Sequence, residues 1–367
     1  MRYINIIIII LLLTACSTNK VVKEPNNIIK LISPSENLKS SVSSKYLYET
    51  FELPDSISDV EAWVVVNNLK IVADNKGFCI YDNNTKKIRK HYKFKFDSIM
   101  MKLLSVNLNI NKNKSKILVT TSSGQSTTAL IFQIDLNSLR LDWLNEFAYQ
   151  ITSACYTNDA SEIAIGTGYF KKKSKKDHPE YYSSLFIINS KNGKFIKYYN
   201  QGESVARIKF SDDHQLLYSV LGWPHVDTYV WNIYNKKDKI GAFGKNQTMF
   251  YDACYIDKNS FVSIGDEGIY KWNISSPEDY KIIHSQYING TDKLFRQDDN
   301  LFILVNYVGG SSNPPEIKYF DQQFKLTDSI KLTSTFVNII LSDTKLFGVT
   351  NNSIIYFDIK NKTVQKE

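Results

Sequence analysis

The sequence predicts an all-β fold assembled from repeated four-stranded units. Three observations carry that reading. Apolar residues make up 43% of the chain and aromatics 13%, a composition weighted towards residues that suit a pleated, half-buried strand. Beyond residue 16 no long amphipathic helical period occurs. An apolar-aromatic run ending in Asp or Asn recurs along the chain at a near-constant interval.

The chain opens MRYINIIIIILLLTACSTNK. Arg2 precedes an apolar run, Ile6 to Leu13, that is too short to span a bilayer as a mature helix and reads as a signal-peptide core. Leu13-Thr14-Ala15-Cys16 resembles a bacterial lipobox, which implies cleavage before Cys16 and lipidation of its thiol. Ser17 after the Cys, rather than Asp, resembles the outer-membrane default, and STNKVVKE lacks the acidic cluster of surface-exported lipoproteins. The resemblance implies a periplasm-facing outer-membrane anchor. Residues 1–15 are thus expected to be a signal peptide, and residues 16–44 the lipidated Cys and a polar, unpatterned tether. The domain proper is expected over 45–367.

Seven marker residues end the recurring runs: Asp82, Asp135, Asn189, Asn232, Asn273, Asp321 and Asp358. The 276 residues from first to last, over six intervals, give a mean period of 46. Each marker reads as the cap of a turn, a scaffold role and not a site. Between markers runs a second pattern of apolar strand, short polar turn and apolar strand, clearest in VARIKFSDDHQLLYSV at 205–220. A period in the forties with four strands per unit specifies a β-propeller. Seven blades are expected, with six or eight as the alternatives. Only KTVQKE follows Asn361, whereas KYLYETFEL at 45–53 is a strand to spare. This N-terminal strand is therefore expected to close the last blade.

Trp231-Asn232 and Trp272-Asn273 stand where the WD-repeat superfamily has its Trp-Asp dipeptide, and FSDD at 210–213 resembles its Phe-Ser-Pro-Asp turn. The chain resembles a divergent member of that superfamily over about 45–367, without its Gly-His dipeptide.

Chemistry is sparse in the sequence. The histidines, at 91, 178, 214, 225 and 284, have no metal-ligand spacing, and there is no G-x-S-x-G or H-E-x-x-H motif. No catalytic residue, metal site or cofactor is expected. Cys79, Cys155 and Cys254 lie in apolar strand contexts and read as free thiols. The net charge of +8 comes almost wholly from Lys, which argues against specific nucleic-acid reading, where Arg dominates.

Connections between second and third strands differ along the chain. Blades 1, 5 and 7 have tight ones, and blades 2 to 4 and 6 have long ones. The blade 3 loop carries Lys171, Lys172, Lys173, Lys175 and Lys176, flanked by Tyr169, Phe170, Tyr181 and Tyr182. Cations beside aromatics suit an interface. Trp223 and His225 in the next blade are expected to extend the patch. The sequence thus reads as a monomeric, membrane-anchored envelope lipoprotein whose propeller is a protein-binding scaffold, with an envelope protein or an anionic glycan or lipid as partner. The alternatives are a hydrolase- or lactonase-like propeller enzyme and a carbohydrate-binding lipoprotein.

Overall fold

A computed structural model describes residues 29–32, 47–50, 60–96, 104–123, 129–147, 150–168, 170–172, 180–182, 184–200, 205–211, 216–221, 228–232, 239–243, 250–265, 267–285, 293–297, 300–305, 315–321, 323–333, 336, 338–342, 344–350 and 354–366. Among these residues there is no helix.

Strands β1 (Ile29–Ile32) and β2 (Leu47–Thr50) precede seven antiparallel sheets. The first sheet is β3 (Val60–Val66), β4 (Leu69–Asp74), β5 (Gly77–Asp82) and β6 (Ile88–Phe94). The second is β7 (Leu104–Ile110), β8 (Lys116–Ser123), β9 (Ala129–Asp135) and β10 (Arg140–Phe147). The third begins with β11 (Ile151–Tyr156) and β12 (Glu162–Thr167). Two short strands, β13 (Phe170–Lys172) and β14 (Glu180–Tyr182), interrupt it and pair only with each other. It resumes with β15 (Ser184–Asn189) and β16 (Phe195–Asn200). The fourth is β17 (Val205–Phe210), β18 (Leu216–Leu221), β19 (Thr228–Asn232) and β20 (Lys239–Phe243). The fifth is β21 (Phe250–Asp257), β22 (Ser260–Gly265), β23 (Gly268–Asn273) and β24 (Ser276–Ser285). The sixth is β25 (Lys293–Gln297), β26 (Asn300–Val305), β27 (Glu316–Phe320) and β28 (Leu326–Lys331). The seventh is β29 (Asn338–Ser342), β30 (Lys345–Val349), β31 (Ile354–Asp358) and β32 (Thr363–Lys366).

In each of the seven sheets the four strands just named pair in chain order, first to fourth, with β2 and β1 added beside the fourth strands of the first and second sheets. Asn67 and Asn68, at φ +46° and +62°, turn β3 into β4. Asn tolerates the left-handed region that such a two-residue turn needs. Six of the seven marker residues cap the turns between third and fourth strands as their side-chain oxygens accept backbone N–H groups; the turn after Asn232 lies outside the described residues. Asp82 takes Asn84 and Thr85 at 3.1 and 2.9 Å, and Asp135 takes Asn137 and Ser138 at 3.0 and 2.7 Å. Asn189, Asn273, Asp321 and Asp358 repeat the device on Lys191, Ser275, Gln323 and Asn361.

The core lies between sheets. Trp143 and Phe147 of the second sheet pack with Phe186 and Ile188 of the third, and Val205 and Ile208 of the fourth with Leu185 and Ile187. The largest cluster joins the last sheet to the first two: Phe347 and Val349 pack with Trp63, Val64 and Val106. At that junction Trp63 Nε1 donates to Gly348 O at 2.9 Å, and the rings of Trp63 and Phe347 meet edge-on at 5.0 Å. Glycine is required at 348 by close approach, since a Cβ there would lie 2.0 Å from the Phe336 ring.

Two N-terminal expectations are corrected. The last sheet closes on itself: Asp358 caps a turn, Lys362 adopts φ +55°, and the remaining residues suffice for β32 to pair with β31. The strand to spare, β2, instead pairs with β6 on the outer edge of the first sheet, where Leu47 is fully buried and Glu49 meets Lys90. Inside the segment read as an unpatterned tether, β1 pairs with β10 as a fifth strand of the second sheet.

A polar network ties the second sheet to the third. Tyr156 Oη donates to Gln133 Oε1 at 3.0 Å, Gln133 Nε2 to Asp142 Oδ2 at 2.7 Å, and Lys116 Nζ to both Asp142 and Asp135 at 2.9 and 2.7 Å. Partial burial works against the Asp135 carboxylate, but Lys116 and the Ser138 N–H and hydroxyl outweigh it and lower its pKa to about 2.

Two outcomes follow. Trp63→Phe removes the indole N–H bond to the Gly348 carbonyl and should cost about 0.5–1.5 kcal/mol in urea unfolding; a loss within error would show that closure does not depend on this bond. Because the folded pKa of Asp135 is depressed, its contribution is complete above the ordinary carboxylate value near pH 4 and disappears as pH falls towards 2. Unfolding midpoints of wild type and Asp135→Asn should converge over that window.

Candidate functional site

The basic loop of the third sheet is the first candidate. β11 and β12 end in register at Ile151 and Thr167, and Gly168 N then donates to Gln150 O at 3.0 Å. The chain leaves the sheet there. The hairpin that follows aligns Phe170 with Tyr182, Lys171 with Tyr181 and Lys172 with Glu180. Sequence-predicted Phe170, Lys171, Lys172, Tyr181 and Tyr182 thus share one two-stranded element. Tyr169, Lys173, Lys175, Lys176, Trp223, His225 and Cys16 lie outside the described residues. β1 enters the second sheet with Ile29 as the register partner of Phe147.

The second candidate was not found by sequence reasoning. First strands of successive sheets, from β29 through β3 and on to β25, run next to one another, and each has a ladder partner on one edge only. A cavity of about 800 Å³ lies among them, lined by residues 108–110, 209–210, 254–255, 294–296 and 339–341. These positions span five sheets, so no local motif could announce them.

Its wall is braced by side chains reaching from one sheet to the next. Lys209 Nζ donates to Ala253 O at 2.9 Å and Leu294 O at 3.0 Å, and lies 3.2 Å from Asp252 Oδ1. Asp252 Oδ2 accepts from Leu294 N at 3.1 Å. One lysine on β17 thereby joins three sheets. Arg296 Nη1 donates to Tyr255 O at 3.3 Å, and Asn109 Nδ2 to Ala154 O at 3.4 Å. Ile208 N donates to Ser153 Oγ at 3.2 Å.

The described cysteines are free, as the sequence implies, with Cys79 and Cys254 buried and Cys155 half-buried. Burial pushes the Cys254 and Cys155 thiols up to about 12 and Cys79 to about 11. Cys254 on the cavity wall therefore stays protonated at neutral pH and is no ready nucleophile. Among the described residues no three His, Cys, Asp or Glu side chains gather in a way that could hold a metal ion.

No protein-family model matches the chain, and no curated protein sequence is similar to it. Solved structures are. A functionally unknown protein from Desulfotomaculum acetoxidans DSM 771 has TM-score 0.59 at 15% identity, over 82% of this chain and 95% of that one. Dihydro-heme d1 dehydrogenase NirN has TM-score 0.56 at 12% identity, over 88% of this chain and 68% of that one. The β-propeller domain of Myceliophteria thermophila Cps50 (Swd1) has TM-score 0.51 at 9% identity, over 71% of this chain and 88% of that one. The chain is an all-β protein with a β-propeller fold. Identities this low show the fold alone, and propellers of this kind include both scaffolds and enzymes.

Lys209→Met should destabilise by about 2–4 kcal/mol, since it strands Asp252; the Lys209 side chain is 34% exposed, which keeps the loss below that of a fully buried pair. Adding Asp252→Asn should recover part of the loss in denaturant unfolding. No recovery would show that the carbonyl contacts, and not the ion pair, hold the wall.

Proposed function

We propose that the chain is a lipid-anchored envelope protein whose propeller holds a partner through the basic hairpin of the third sheet. The observation that carries this reading is the hairpin itself. β13 and β14 belong to no sheet of the ring, so the scaffold does not need them. Elements that a fold does not require are where binding concentrates. The hairpin sequence holds five lysines and four flanking aromatics, a composition that suits an acidic protein surface.

The anchor reading rests on Leu13-Thr14-Ala15-Cys16. It gains from the placement of β1. Residues 17–28 separate Cys16 from β1 and reach roughly 40 Å when fully extended. β1 enters the second sheet at Ile29, opposite Phe147. A leash of that length would keep the propeller, and a partner held by it, close to the membrane. Periplasm-facing outer membrane is the location that fits Ser17.

Two experiments test the proposal. Cys16→Ala should abolish radiolabelled palmitate incorporation, and continued labelling would overturn the anchor. Replacing residues 169–182 by an Asn-Gly turn should leave the melting temperature nearly unchanged, because closure entropy varies by only about 0.6 kcal/mol per halving of loop length. Recovery of crosslinked partners from envelopes should fall sharply. The variant with Lys171, Lys172, Lys173, Lys175 and Lys176 all changed to Gln should bind more slowly and with less salt dependence. Unchanged recovery and unchanged salt dependence would reduce the hairpin to a solvated insertion.

A further inference from the structure

We infer that the cavity among the first strands is a second binding site, for a small hydrophilic organic oxyanion such as a polycarboxylate or phosphate ester. Its volume, about 800 Å³, falls within the range of small-molecule sites, roughly 300–1,000 Å³.

The wall chemistry sets the class. Each lining strand is the end strand of its sheet, so one edge of its backbone, with alternating N–H and C=O groups, has no ladder partner. Among the described residues of the wall are two cations, Lys209 and Arg296, and no carboxylate. The nearest acidic group, Asp252, is 4% exposed and is turned to Lys209 and the Ala253 and Leu294 amides.

The two cations do different work. The three ammonium protons of Lys209 match its three oxygen neighbours, so it shapes the wall. Arg296 brings a planar guanidinium, whose fork geometry matches carboxylate and phosphate oxygens. Asn109, on β7 in the same wall, supplies an uncharged amide donor. Ile110 and Ile340 beside them give the ligand a short apolar contact without making the site a hydrophobic slot.

The experiment is calorimetric titration of the full chain with citrate and, separately, inorganic phosphate, with ionic strength held constant by sodium chloride. One saturable site per chain is expected for at least one of the two anions. Arg296→Gln should weaken it by about ten-fold or more, as loss of a charge-assisted bond does. Asn109→Asp is nearly isosteric and puts a negative charge in the wall, so it should weaken binding comparably even where Arg296→Gln unfolds. The variant with the five hairpin lysines changed to Gln should bind as wild type does. Absence of saturable heat with both anions overturns the inference. So does the reverse pattern, in which the hairpin variant loses binding and the two wall variants keep it. That result would assign the anion to the hairpin, leaving the partner reading standing.

Discussion

Ladder hydrogen bonds stop at the edge of each sheet, so a ring of sheets can only be held together by side chains crossing between them. The decisive crossing is where the ends of the ring meet. Trp63 on the first sheet donates to the Gly348 carbonyl on the seventh, and Asn338 on the seventh reaches back to Glu61 O at 2.8 Å and Val106 O at 3.3 Å on the first and second. Around these bonds packs the largest apolar cluster, which runs from Phe347 through Trp63 to Phe132. The seventh sheet also packs on the sixth through Ile317, Leu346 and Phe357, but among the described residues only this cluster joins it to the first. The Gly348 backbone must come so close to the Phe336 ring that no side chain fits at that position.

Much of this was legible in the sequence because turn chemistry is local. An Asp or Asn at the end of a strand accepts the next N–H groups whatever lies elsewhere, so Asp82, Asp135, Asn189, Asn273, Asp321 and Asp358 marked the repeat correctly. Ring closure was not legible in the same way. KYLYETFEL has the alternation of a strand, but its pattern does not say which free edge it joins. The last sheet has a fourth strand because Asp358 and Lys362 turn the chain early enough to leave four residues for it. β2 instead pairs with β6, on the first sheet's outer edge. The same limit hid β1. IKLI is too short and too polar in its surroundings to stand out, and only pairing with β10 makes it a strand.

The two candidate sites differ in legibility for a related reason. The hairpin is one contiguous stretch, so its charge and aromatic content could be read directly. The cavity wall is drawn from positions between Leu108 and Leu341, and its residues are ordinary members of strand patterns. Lys209 illustrates the difficulty. In VARIKF it reads as a solvent-facing lysine alternating with Ile208 and Phe210. In the folded chain it crosses to the fifth and sixth sheets and meets a nearly buried carboxylate. The signal that could have found it is weak: Asp252 opens the apolar run DACYI as a charge in a strand position that offers it no local turn to cap.

The two sites are also coupled to the fold in opposite ways. Hairpin β13–β14 hangs from a sheet whose ladder is complete without it, so its residues can change with little effect on the ring. The cavity wall has no such freedom. Lys209 and Asn109 line the cavity and also brace neighbouring sheets, Lys209 together with the buried Asp252. A substitution there alters stability and any bound ligand together, and a ligand that bridges several first strands would stabilise the ring by mass action, since the unfolded chain has no such site. A partner held at the hairpin carries no such linkage. Occupancy of the cavity would therefore report on the integrity of the whole ring, whereas a partner of the hairpin, as proposed, would bind an element that the ring does not need.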